Sequence, residues 1–439
     1  MKDKYVTIGP KDFIDGPYIK CPKCGKNTFG ILMICANHYV RRCNECFYPP
    51  PDDLSCLFDL PKLNKRIIYI DQFAISNMMK FLNPETKAYQ KGQVLPFWGE
   101  LFERLDSLCK LQLLICPDSE FQREESLLAP YFIKLKRMYE LLSHGISFFD
   151  YSTIKRFQVH RDFEVWVSKG KKSHPEINVN MITHGNLNAW QDKLIISVNI
   201  SSSQDIIDSI RSAREKSTEQ LSSAFKIWQT QKEETFKIWY EEEMGTLAKV
   251  VIDIYTNYLK KYSLISYGCM PLVLDEILPP PWVITINCMH DILKENGISE
   301  NKERWKMIGD YLRSDSFKNI LFVKIGCMLW AAVRRRVALG GKKEPPNAGL
   351  VTDIEMISTL LPYCDAMFVD NECRSLLMEK PLCDEIDYGT RVFSLSCKEE
   401  FLKYLDSIRE SASREHLNRI KEVYGNDWDK AYTTIYRDK

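Results

Sequence analysis

No run of about 18 apolar residues occurs in the 439-residue chain, so the sequence predicts no membrane-spanning helix. Its opening, Met1-Lys-Asp-Lys-Tyr5, has no apolar signal core, and a cytoplasmic location is expected. Neither charge sign dominates: 60 Lys and Arg stand against 59 Asp and Glu, a net charge of +1. There is therefore no global basic field, and any nucleic-acid binding must use local patches. Neither Gly-x-x-x-x-Gly-Lys-Ser/Thr nor Gly-x-Gly-x-x-Gly is present, which counts against nucleotide hydrolysis. Histidine is scarce, with seven residues and no paired motif, so chemistry that needs no histidine base suits the chain best.

What is present is ordinary globular composition, 45% hydrophobic and 27% charged, and a length that accommodates two or three domains. Cysteine is abundant. Of 15, four fall in two paired motifs and the other 11 are scattered singly, several inside apolar segments. That pattern predicts a reducing compartment with buried thiols rather than a disulfide framework.

The paired motifs are Cys21-Pro-Lys-Cys24 and Cys43-Asn-Glu-Cys46, with 18 residues between them. Two such knuckles supply four thiolates, a closed tetrahedral shell for a structural Zn²⁺ with no open catalytic position. Gly25 gives the first knuckle a permissive backbone. Cys35 and His38, between the pairs, are read as spares. Lys20, Lys23, Arg41 and Arg42 would grip nucleic acid or form a solvated face, and a docking role for the module is equally open. Pro49-Pro-Pro-Asp-Asp53, running on to Leu60-Pro61, reads as a stiff linker, so residues 1–60 form the first unit.

From residue 61 to 150 strands and helices alternate. Residues 66–71 and 111–116 read as strands, each followed by a helix, and 146–149 as a third strand. Ser119 is the expected N-cap of a helix running to about Leu142. Residues 151–318 read as a helical insertion, with a long charged stretch over 205–262. Within it Phe225-Lys-Ile-Trp228 recurs as Phe236-Lys-Ile-Trp239, a spacing of 11 that puts both on one helical face. A packing stripe is the expected role, ahead of a base-stacking platform. The alternation resumes over 319–439: a helix over 320–339, a helix capped by Thr352 and opened by Asp353, a strand over 366–370, a helix over 371–379, a strand over 390–394 and a closing helix over 399–411. The pattern predicts an α/β fold with a parallel sheet of about five strands.

Arg66-Ile-Ile-Tyr-Ile-Asp71 and Ala366-Met-Phe-Val-Asp370 are apolar strands that each end in a carboxylate. Parallel strands end at one edge, so both carboxylates would face one crevice. Clustered carboxylates repel unless a hard cation neutralises them. Glu124, in the helix after the second strand, and Asp353, 17 residues before Asp370, complete a candidate set of four. Such a set suits metal-assisted phosphodiester hydrolysis. Strand-end capping and helix N-terminal charge are the bland alternatives. Glu120 and Glu125 compete with Glu124, which is preferred because a helix turns 100° per residue and the site lies beyond the strand end. Asp365 competes with Asp353, but it sits at the far end of its strand. Asn371 is a candidate substrate contact or a turn residue. Lys169-Gly-Lys-Lys172, Arg334–Arg336 and Lys342-Lys343 are candidates for a phosphate path, although basic helix ends suit the dipole.

In this order and context the four acids resemble those of PIN-like nuclease domains, over about 60–150 and 319–408, split by the insertion. The resemblance implies a parallel sheet and a nuclease, an endoribonuclease ahead of a deoxyribonuclease, in which Asp71, Glu124, Asp353 and Asp370 hold Mg²⁺ or Mn²⁺. It also implies a nucleic-acid partner and allows a toxin or defence role. The alternative is a catalytically silent nucleic-acid-binding scaffold. The insertion is the natural place for a lid, a homodimer contact or a regulatory protein partner.

Overall fold

The computed structural model describes residues 14–50, 53, 56–169, 178–192, 204–232, 234–271, 277–426 and 428–429. Gly170, Lys171 and Lys172 of the basic segment, and Pro51 and Asp52 of the proline-rich linker, lie outside these. Among the described residues no helix is long and apolar enough to cross a membrane.

Strands β1 (Asp15–Ile19), β2 (Phe29–Cys35), β3 (His38–Cys43) and β4 (Leu57–Asp59) form an antiparallel sheet in chain order. Ile31, Ile34 and Tyr39 of this sheet join the core of the main body. The Asp192 carboxylate accepts from the Ile34 amide at 2.8 Å, and the Ala36 carbonyl from the Trp190 amide at 2.8 Å.

The main body is built on β5 (Arg66–Ile70), β6 (Leu114–Ile115), β9 (Ala366–Phe368) and β10 (Arg391–Phe393), parallel and ordered β10-β9-β5-β6. Both faces of the sheet are covered, because successive side chains point to opposite sides. Ile68, Ile70, Ala366 and Phe368 enter one core, whereas Ile67, Tyr69, Met367 and Val369 enter the other. On the first side pack α1 (Gln72–Leu82), α2 (Phe97–Lys110), α4 (Phe132–Ser143) and α13 (Lys398–Glu410). On the second lie α3 (Glu120–Leu127) with its Phe121, α10 (Leu321–Ala338), α11 (Ala348–Leu360) and α12 (Asn371–Leu377).

Between the halves come α5 (Tyr151–Lys169), α6 (Gln204–Trp228), α7 (Phe236–Ser266), α8 (Pro281–Glu295) and α9 (Asn301–Leu312). α5, α7, α8 and α9 share a third core around Val159, Phe163, Met244, Ile286 and Tyr311. α14 (Arg414–Tyr424) closes the chain against the first core through Ile420 and Val423.

Four expectations change. The sheet has four strands rather than five. The segment expected as the third strand, β7 (Ser147–Phe148), pairs antiparallel with β8 (Thr183–His184) and meets the sheet by one bridge, Asp118 to Ser147. Pro117 has no N–H for the ladder, so β6 stops before it and pairing resumes only at Asp118. The helix expected over 119–142 is two helices, α3 and α4, broken at Pro130 for the same reason. The helix expected to open at Asp353 begins at Ala348, where the Asn347 side chain accepts from the Leu350 amide at 3.0 Å, so Asp353 sits in its second turn and Thr352 is no cap. The two Phe-Lys-Ile-Trp motifs do not share one helix: the first ends α6 and the second opens α7. Phe225 and Trp239 are nonetheless buried, as a packing role requires.

Candidate metal centres

The four paired cysteines converge at the edge of the N-terminal sheet. Their sulfurs lie within 4.8 Å of one another, with Cys21–Cys46 and Cys24–Cys43 each at 3.7 Å. Each knuckle turns its second amide onto its first sulfur: Cys24 N–H to Cys21 Sγ and Cys46 N–H to Cys43 Sγ, both 3.5 Å. Gly25 has φ of +72°, the left-handed conformation the turn needs. Burial raises the Cys43 thiol, but the Cys46 amide and the Thr28 hydroxyl outweigh it and bring the group to about 6. Four soft sulfur donors in this arrangement could hold a structural metal such as zinc. Of the neighbouring cations, Arg41 is buried and donates to the Pro17 and Phe29 carbonyls at 2.8 and 3.1 Å, so it is no surface contact.

The second centre lies at the carboxyl edge of the parallel strands. Asp71 follows β5 and N-caps α1; its amide donates to the Phe368 carbonyl at 3.0 Å, which ties it to the next strand. Asp370 follows β9 and N-caps α12, its Oδ1 accepting from the Cys373 amide at 2.6 Å. Asp353 comes from the second turn of α11, and its oxygens lie within 4.8 Å of ligand atoms of Asp370 and Cys373. Burial, then the Glu125 and Asp370 charges, push the Asp71 carboxyl up to about 7. Burial, then Asp71, Asp370 and Glu125, push Asp353 up to about 9. These are carboxylates crowded enough to retain protons near neutral pH.

Of the acids on α3, Glu125 is the one whose charge reaches Asp71 and Asp353. Burial holds its own carboxyl above the ordinary range. Glu124 turns instead toward Glu120 and lines a cavity beside Tyr151; burial, then Glu120, raises it. Glu120 accepts from the Tyr151 amide at 3.3 Å and stays outside the cluster. Asp365 lies at the opposite strand end, bound to Arg66 at 2.7 Å and to the Ile67 amide at 2.8 Å. Asn371 opens α12 and accepts from the Ser396 amide at 2.9 Å, a tie across 25 residues.

The rotation of α3 that selects Glu125 is set by buried polar contacts. Ser119 and Gln122 form a capping box, and Gln122 Nε2 donates to the Ile70 carbonyl at 2.6 Å. Gln72 Nε2 donates to Ser126 Oγ at 2.7 Å. Both glutamines escaped the sequence reading, although Ser-x-x-Gln is a recognisable capping signature. So did Arg214 of α6, whose guanidinium pairs with Glu125 at 3.2 Å. Of the basic residues named for a phosphate path, Arg334 pairs with Glu242 and Glu243, Arg335 and Arg336 with Glu379, and Lys342 with Glu372, whereas Lys343 is exposed.

Comparison with protein-family models, curated proteins and solved structures yields no match.

The raised carboxyls have a thermodynamic consequence. Asp71 and Asp353 bind protons more tightly folded than unfolded, where a carboxyl titrates at about 3.9. Metal-free stability is therefore full below about pH 4 and falls as pH rises through about 7 to 9. A divalent cation should remove this penalty, so Mn²⁺ is expected to raise the melting temperature more at pH 8.5 than at pH 5.5. Asp353→Asn should flatten the metal-free profile. Equal Mn²⁺ increments at both pH values would contradict this.

Proposed function

We propose that the chain is a metal-dependent nuclease of PIN-like design, an endoribonuclease that hydrolyses phosphodiester bonds, with a structural zinc ribbon at its N-terminus. The observation that supports this reading is the grouping of Asp353 and Asp370, with ligand atoms within 4.8 Å, beside Asp71 and Glu125, whose charges raise the Asp353 carboxyl. Hard oxygen donors fit Mg²⁺ or Mn²⁺, as the four sulfurs fit zinc. Asp71, Asp353, Asp370 and Glu125 would hold the cation, which would polarise the phosphodiester and activate water.

The chain's own part is positioning. Asp71 and Asp370 are fixed by strand ends and helix starts, Asp353 and Glu125 by the helices packed over them. Asp71 and Asp353 would have to be deprotonated to hold a cation, so metal-dependent activity should rise with pH. Arg214 sits beside Glu125, where a phosphate of the substrate would find a guanidinium. The preference for RNA over DNA rests on the PIN-like resemblance. The test is incubation of the full chain with single-stranded RNA and DNA with added Mn²⁺, added Mg²⁺ or neither. RNA cleavage that requires metal is expected; intact RNA and DNA at millimolar metal would contradict the proposal.

A further inference from the structure

A cavity of about 540 Å³ opens between α3, the start of α5, α6, α8 and α11. It lies where the helical insertion meets the main body, and it adjoins the acidic cluster through two shared walls. On α3, Glu124 lines the cavity while its neighbour Glu125 faces the cluster. On α11, Val351 and Thr352 line the cavity while Asp353 faces the cluster. Arg214 spans both, lining the cavity and pairing with Glu125.

The lining combines aromatic faces with cations. Phe121 and Tyr151 form a stacked wall, centroids 5.4 Å apart, with the Lys155 ammonium 5.2 Å over the Tyr151 ring. Trp282, at the start of α8, is half-buried and offers a further aromatic face. Lys155 is committed to Glu355. Arg156 donates to Thr153 Oγ1 at 3.2 Å and makes no ion pair among the described residues. Glu124 presents an acceptor of the kind that reads amino groups on a base edge. The volume falls within the range of about 300–1,000 Å³ that holds small ligands. Unstacked bases of single strands are held by aromatic faces, guanidinium planes and edge hydrogen bonds together.

We propose that this cavity is a nucleotide subsite, which takes one splayed nucleotide of a single strand flanking the scissile phosphate, stacked on Trp282 with its phosphate on Arg156. The assignment rests on the nuclease reading for its substrate, but its test does not require cleavage. Binding of a fluorescein-labelled oligoribonucleotide to the full chain is measured without added Mg²⁺ or Mn²⁺, with unlabelled nucleoside 5′-monophosphates as competitors. Trp282→Ala, which also loses packing against Phe322, is expected to weaken oligonucleotide binding about tenfold, the order of one lost base stack, and Arg156→Gln is expected to weaken it similarly with an unchanged melting curve. Affinity retained within about twofold in both variants overturns the subsite. A monophosphate that binds as tightly as the oligonucleotide overturns its assignment to a strand and marks a free-nucleotide site. Absence of metal-dependent cleavage alongside weakened binding in the variants removes the nuclease reading and leaves the subsite standing. Cleavage with unchanged binding does the reverse.

Discussion

Asp71→Asn combined with Asp370→Asn is expected to lower metal-dependent RNA cleavage by at least about 10³-fold, the order of several kcal/mol of lost cation-borne stabilisation. The two carboxylates come from adjacent parallel strands, β5 and β9, whose register pairs Ile70 with Phe368 just before the sites. Asparagine keeps the shape of each side chain and is as good an N-cap as aspartate, so α1 and α12 should start unchanged. The Cys373 amide keeps an acceptor. The loss should therefore be one of charge, visible as a fall in initial rate with an intact circular-dichroism spectrum. A double variant that still cleaves within about tenfold of the parent would place the chemistry elsewhere.

Replacing Cys21 and Cys24 by serine is expected to abolish zinc binding and unfold the N-terminal sheet. Structural zinc contributes on the order of 10–16 kcal/mol in small modules. Residues of this sheet have little core of their own beyond Cys21, Phe29, Cys43 and Cys56. Elemental analysis of the parent should give about one zinc per chain, and of the variant none. Because Ile31, Ile34 and Tyr39 dock on the body, limited proteolysis should trim the variant to a fragment that begins near residue 60. A parent without zinc, or a variant as protease-resistant as the parent, would contradict the assignment.

Much of this site was legible in the sequence. Asp71 and Asp370 are legible because a charge ends a short apolar run, the pattern of a central parallel strand buried on both faces. The cysteine pairs are legible because their spacing encodes a local turn geometry. The rest depended on tertiary contacts. Choosing Glu125 over Glu124 requires the rotation of α3, which Gln122 and Ile70 set across 52 residues. Placing Asp353 required recognising Asn347, behind Pro345-Pro346, as the true cap. Arg214 could not be placed beside the cluster, since a polar helix carries no local record of where it docks. The shortness of β6 was readable at Pro117, but a run of apolar residues outweighed it.

The central claim is that the acids form a divalent-cation site, and the most direct test is a crystal structure of the full chain grown with Mn²⁺, with the metal located by its anomalous scattering. A Mn²⁺ peak bound by Asp71, Asp353 and Asp370, with Glu125 rather than Glu124 beside it, is the expected result. A cluster without Mn²⁺ at a concentration that saturates cleavage would contradict it.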